Sequence, residues 1–119
     1  MKNCALLNLL VIRSADIDHA VRFYQAIGLT FIKHAHGNGP EHYASEQGQF
    51  VFEIYPHSKD QTTEYVRIGF AVRMLDEVIE KLRRIGVSVL KAPEPTEWGR
   101  RAIVSDFDGH RVELSEKSN

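Results

Sequence analysis

The sequence predicts an α+β fold of two tandem halves, each a strand, a helix and three further strands (βαβββ). Three observations carry that reading. The first is a pair of amphipathic segments. "DIDHAVRFYQAIG" places Ile17, Ala20, Val21, Tyr24 and Ile27 on one helical face, and "MLDEVIEKLRRIG" places Leu75, Val78, Ile79, Leu82 and Ile85 in the same way. The second is a constant offset. The closing glycines Gly28 and Gly86 lie 58 residues apart, as do the alternating stretches "LTFIK" and "VSVLK" that follow them. The third is a repeated anomaly, since the strand-like stretches "FVFEIYP" and "RVELS" each set a carboxylate, Glu53 and Glu113, among apolar neighbours.

Around the helices the remaining segments read as strands. "LLNLLVIR" precedes the first helix and "YVRIGFAVR" the second, while "EHYASEQ" with "QFVFEIYP" and "RRAIVSD" with "HRVELSE" read as the two hairpins that follow. Glycine suits the left-handed conformation that ends a helix, which explains Gly28 and Gly86. In "DFDGH" the Asp and Gly positions mark the second hairpin's turn. "HSKDQTTE" is the polar linker between module one, about 1–57, and module two, about 62–119, of a single domain over 1–119. Each sheet is apolar toward its helix and needs a cover on its second face.

Composition narrows the function. With 43% hydrophobic and 26% charged residues, the 119-residue chain can bury a core. A net charge of −1, with both signs interspersed, supplies no footprint for nucleic acid or an anionic membrane. "CALLNLLVI" is too short to cross a bilayer and reads as a strand. The one cysteine, Cys4, gives no internal disulfide, and a cytoplasmic location is the expectation. No serine sits in a "GxSxG" elbow, and "HGNGP" leads into a strand rather than a phosphate-binding helix.

The pieces "ADIDHAVRFYQAIGLTF", "FVFEIYP", "RIGFAVRMLDEVIEKLRRIGV" and "SDFDGHRVELS", in this order and spacing, cover almost the whole chain. They resemble the vicinal oxygen chelate superfamily of glyoxalase I, the bleomycin resistance proteins and the extradiol dioxygenases. Phe107 stands where that pattern usually carries proline, a change expected to stay within the turn. The resemblance implies curled mixed sheets enclosing a cup, with metal ligands on the first and last strand of each module. Those four positions fall on Leu9, Glu53, Arg67 and Glu113; Asn8 would take the first place if the strand slipped by one.

Leu9 has no lone pair and Arg67 repels a cation, so a divalent metal is disfavoured and no cofactor is predicted. The expectation is that Glu53, Arg67 and Glu113 converge, with a guanidinium standing where the metal stood. Such a cluster either ties the modules together or lines a ligand cup. Further ligand-binding candidates are His42 and Tyr43, of which strand alternation turns one inward, together with Tyr55, Trp98 and Arg101. Trp98 sits on a Pro- and Gly-rich loop, as a ligand lid, a dimer contact or a ring folded over its own sheet. Arg100 and Arg101 beside it could steer an anionic group, or one of them could simply end a solvated strand. His34 and His36, two apart, could grip a metal from one strand face or sit at a strand end, and local spacing fixes no third ligand.

The function expected is a small-molecule-binding protein of the bleomycin resistance type, metal-independent, acting as a homodimer. The alternatives are a metal-dependent lyase, isomerase or dioxygenase of the same superfamily, and a regulatory module that senses a metabolite.

Overall fold

A computed structural model describes residues 3–118. The first half comprises β1 (Leu9–Ser14), α1 (Ile17–Ala26), β2 (Ile32–His34), β3 (His42–Gln47) and β4 (Phe50–Pro56). The second repeats it with β5 (Arg67–Val72), α2 (Leu75–Arg84), β6 (Ser88–Thr96), β7 (Gly99–Ser105) and β8 (Arg111–Glu116). Each half forms its own four-stranded mixed sheet, ordered β1-β4-β3-β2 and β5-β8-β7-β6, with the first and last strands parallel and the other pairs antiparallel. These are the two βαβββ modules read from the sequence. The sheets are uncurled and separate.

Three elements differ from the sequence reading, one of them β6, which runs on past Lys91 through the Pro-rich stretch to Thr96 where the sequence reads as a loop. β1 starts at Leu9 because its partner β4 begins at Phe50 and no ladder exists further back, so Leu6 and Leu7 lie exposed. β2 shrinks to three residues because Leu29 is buried and Phe31 packs against the core. Helix starts are solved differently in the two halves. Asp16 caps α1 by accepting from the His19 amide at 3.1 Å. Met74 offers no cap to α2, and the Glu116 carboxylate at the end of β8 takes the Leu75 amide instead.

The modules meet through their helix sides. Ile12, Phe52 and Ile54 of the first sheet and Ile68, Val112 and Leu114 of the second belong to one continuous buried cluster. The Phe70 ring crosses the junction, 5.9 Å from both Phe52 and Tyr24.

One polar network is embedded in this core. Asp106 is buried and accepts four hydrogen bonds: Oδ1 from the amides of Asp108 and His110, and Oδ2 from the Tyr24 hydroxyl at 2.5 Å and His110 Nδ1 at 2.7 Å. His110 Nε2 then accepts from the Thr63 hydroxyl at 2.7 Å, and Thr63 Oγ1 accepts from the Arg13 amide. Nearby, Asp108 accepts from the Ala15 amide. The β7–β8 turn is thereby tied to α1, β1 and the linker. Burial works against the Asp106 charge, but the bonds from His110 and Tyr24 outweigh it and hold the carboxyl below its ordinary value of 3.8. Burial, then the Asp106 charge, pushes the Tyr24 phenol well up.

Tyr24→Phe is expected to cost about 1.5–3 kcal/mol in urea unfolding, the worth of a hydrogen bond to a charged group. Because the folded Asp106 carboxyl ionises at lower pH than the unfolded one, its stabilisation is complete above the carboxylate range and is lost as pH falls through the folded value. Unfolding free energy between roughly pH 5 and pH 2 should therefore drop more steeply in the wild type than in Asp106→Asn. Equal slopes would show that this carboxylate is not the linked group.

Candidate functional site

Strand alternation gives each sheet a helix side and an open side. On the first sheet Glu53 pairs with Val11 and Ala44, so Leu9, Val11, His42 and Tyr55 share its open face. On the second, Glu113 pairs with Gly69 and Ile103, so Arg67, Arg101 and Ser115 share the equivalent face. His42 and Arg101 occupy matching positions, each two residues before the partner of its module's glutamate.

The first face is built around His42. Its ring is buried, stacks on Tyr55 with centroids 4.1 Å apart, and lies with Nε2 3.5 Å from Glu53 Oε2 and 3.3 Å from the Tyr55 hydroxyl. Arg13 lies over the other partner of that stack, 5.1 Å from the Tyr55 centroid. Alternation, left open by the sequence, is resolved here. Tyr43 turns to the helix side, where its hydroxyl donates to Asp18 at 2.6 Å, lowering the Asp18 carboxyl and pushing its own phenol up. It stands away from the face that carries His42.

The second face is an arginine–carboxylate cluster. Arg67 Nε lies 2.9 Å from Glu113 Oε2, and Arg101 pairs with Oε1 of the same carboxylate. Arg101 also stands 6.0 Å from the Trp98 ring, which is 73% exposed at the β6–β7 turn. Its Nε is buried without a partner. Trp98, Arg101 and Ser115 line a hollow of about 350 Å³. A second, of about 180 Å³, lies among Arg67, Lys91, Glu94, Arg101, Ile103 and Glu113. Arg100 points the other way, paired with Asp76 and Glu116 near α2.

The expected trio does not assemble within the chain. Arg67 and Glu113 meet, but Glu53 faces His42 on the other sheet. The reason is the shared core: with the helix sides packed together, the open faces of the two sheets do not enclose a common space. Nor is Arg67 buried. Its side chain is 56% exposed.

The residues at the family's ligand positions also fit a divalent metal poorly. Leu9 has no donor atom, and both oxygens of Glu113 are already paired with guanidinium groups. Sequence reasoning missed two features. The Asp106 network was read only as a turn, although a tyrosine on the apolar face of α1 signals a buried phenol in need of a partner. The approach of His42 to His34 and His36, with ring centroids 5.7 and 5.5 Å away, comes from strand register, which short-range spacing does not contain.

The family model of the Glyoxalase/Bleomycin resistance protein/Dioxygenase superfamily matches residues 6–114. The chain belongs to this superfamily. No curated protein matches it. Among solved structures it is similar to TnmS3, an antibiotic binding protein from Streptomyces sp. CB03234, at 20% identity over 99% of this chain and 100% of that one, TM-score 0.78. It is similar also to a superfamily member from Sphaerobacter thermophilus DSM 20745, at 23% identity over 96% and 98%, TM-score 0.75. A glyoxalase-related enzyme from Fulvimarina pelagi matches at 19% over 96% and 89%, TM-score 0.74. Likeness at these identities establishes the fold alone. The fold is thus common to a binding protein and an enzyme-related chain. The side chains on the open faces must distinguish them.

Arg67→Ala is expected to cost about 1 kcal/mol or less in chemical unfolding, the range of an exposed ion pair. A loss of several kcal/mol would place Arg67 in a buried cluster after all.

Proposed function

We propose that the protein binds a small organic molecule, aromatic in part, in a cup formed between two copies of the chain, without a metal at the family's ligand positions. The observation that carries this reading is the second open face. Trp98 presents a flat exposed ring, Arg101 beside it keeps a buried unpaired donor, and Glu113 anchors both guanidinium groups where the superfamily would hold metal. A ring that stacks on Trp98 and an acceptor that meets the Arg101 guanidinium would engage both side chains. Tyr55 and Glu53, with His42 buried behind Tyr55, provide the facing surface from a second chain. Antibiotic binding by TnmS3, which has the same fold, is consistent with such a cup.

Exposed apolar surface supports a second copy. Leu9, Ile32 and Trp98 lie 48%, 63% and 73% exposed on or beside the open faces, and each chain has two such faces but only one helix side to cover. A homodimer that sets the first sheet of one chain over the second sheet of its partner covers both. A cytoplasmic location accompanies this reading. Among the described residues no helix is long and apolar enough to cross a membrane. The alternative, a metal-dependent lyase, isomerase or dioxygenase, requires Glu53 and Glu113 to hold an ion that Arg67 and Arg101 already displace electrostatically from Glu113.

Light scattering at micromolar concentration is expected to give a dimer; a monomer would contradict the shared cup. Trp98, the single tryptophan, reports directly on binding. Titration with a panel of aromatic antibiotics, bleomycin among them, should quench its fluorescence equally with and without a chelator. Arg101→Ala should weaken that binding about tenfold or more, the effect of deleting a hydrogen bond to a buried group. Quenching that vanishes on chelation would favour the metal-dependent alternative.

A further inference from the structure

The strand register that lines up the second open face also fixes its charge. Arg67 on β5 pairs directly with Arg111 on β8. Glu113, two residues further along β8, lies in one row with Gly69, Ile103 and Lys91, and the next row holds Ser115, Arg101 and Glu94. Strand alternation turns all of these to the same side. The face therefore carries four cations, Arg67, Lys91, Arg101 and Arg111, against two carboxylates, Glu94 and Glu113.

Both carboxylates are already engaged within the face. Glu113 pairs through one oxygen with Arg67 Nε and through the other with Arg101, and Glu94 lies 2.9 Å from Lys91 Nζ. Arg67 donates from Nε alone, so its two Nη groups stay open on a side chain that is 56% exposed. Arg111 is exposed and, among the described residues, makes no ion pair. Like charges on directly paired residues repel, and the one carboxylate beside this pair is shared between Arg67 and Arg101. A second copy of the chain does not cancel the excess. The first sheet's open face brings Arg13 together with Glu46 and Glu53, so five Lys and Arg side chains meet four carboxylates in the cup.

We propose that the molecule bound in the cup is an aromatic oxyacid anion, a ring bearing a carboxylate or sulfonate, with its anionic oxygens received by Arg67 and Arg111. This rests on the cup proposed above and adds the charge of its occupant. The planar fork of a guanidinium matches such a group with two parallel hydrogen bonds. Arg101 lines both the hollow beside Trp98 and the one that holds Arg67, Lys91 and Ile103, so the two adjoin. A ring against Trp98 thus points its substituent along the face toward Arg67. Glu113 does not exclude the anion, because both of its oxygens are neutralised by guanidinium groups.

The test is calorimetric titration of the full-length protein with four probes that share one ring and one point of substitution: naphthoate, naphthalenesulfonate, neutral naphthamide and cationic naphthylmethylammonium. The two anions are expected to bind about tenfold or more tighter than naphthamide, and the cation weakest of all. Raising NaCl from about 20 mM to about 500 mM should shrink that preference, because the receiving groups are exposed. The double variant Arg67→Gln/Arg111→Gln alters exposed side chains and should lower the ratio of naphthoate to naphthamide affinity about tenfold. A ratio that this variant leaves unchanged, or a preference indifferent to salt, overturns the assignment. Naphthamide binding as tightly as naphthoate refutes the anion and leaves the cup standing. If none of the four probes binds, the cup itself falls and the anion with it.

Discussion

The arrangement of the whole molecule depends on how its two modules are locked back to back. Either sheet with its helix could bury one apolar side alone, but the Asp106 carboxylate joins the β7–β8 turn to Tyr24 on α1 and, through His110 and Thr63, to β1 and the linker. A buried charge with four well-placed donors is tolerable only in that geometry, so the network selects one module packing among those an apolar core would accept. Phe70 wedged against Phe52 and Tyr24 fills the space the lock defines.

Locking the helix sides together fixes what remains outside. Both open faces stay uncovered, and the two glutamates that the repeat places at matching positions acquire different partners: a buried histidine for Glu53, two guanidinium groups for Glu113. One duplicated framework thus carries two chemistries. The first face sets its carboxylate beside a buried imidazole stacked on a tyrosine. The second has its cations built in, and its aromatic ring and spare donor suit an organic ligand. Sharing the cup between chains would bring these unlike faces together, which neither chain achieves alone.

Most of the fold was legible because it is written in periodicity. The 58-residue offset located both helices and their closing glycines, the glutamate-bearing strands follow at an offset of 60, and Glu53 and Glu113 lie on the faces opposite the core. What escaped was pairing across distance. Whether Glu53 meets Arg67 is decided by which sides of the sheets pack together, and alternation within a strand carries no such information. For the same reason Tyr43 could not be separated from His42 until the β3–β4 register set His42 beside Tyr55. "DFDGH" shows the complementary failure. Its turn chemistry was plain, whereas its role as a lock depends on Tyr24, 82 residues away in the chain.

A cup assembled from unlike faces of two chains has a direct test in subunit mixing. One variant carries a damaged first face, Glu53→Gln with Tyr55→Ala; the other a damaged second face, Trp98→Ala with Arg101→Ala. Each is purified alone, and the two are then refolded together and titrated by calorimetry with the aromatic compound that most strongly quenches wild-type Trp98. A cup shared between chains gives every heterodimer one fully wild-type cup, so binding absent from both parents returns in the mixture. If each cup lies within a single chain, the mixture binds no better than its parents, and the shared cup is wrong.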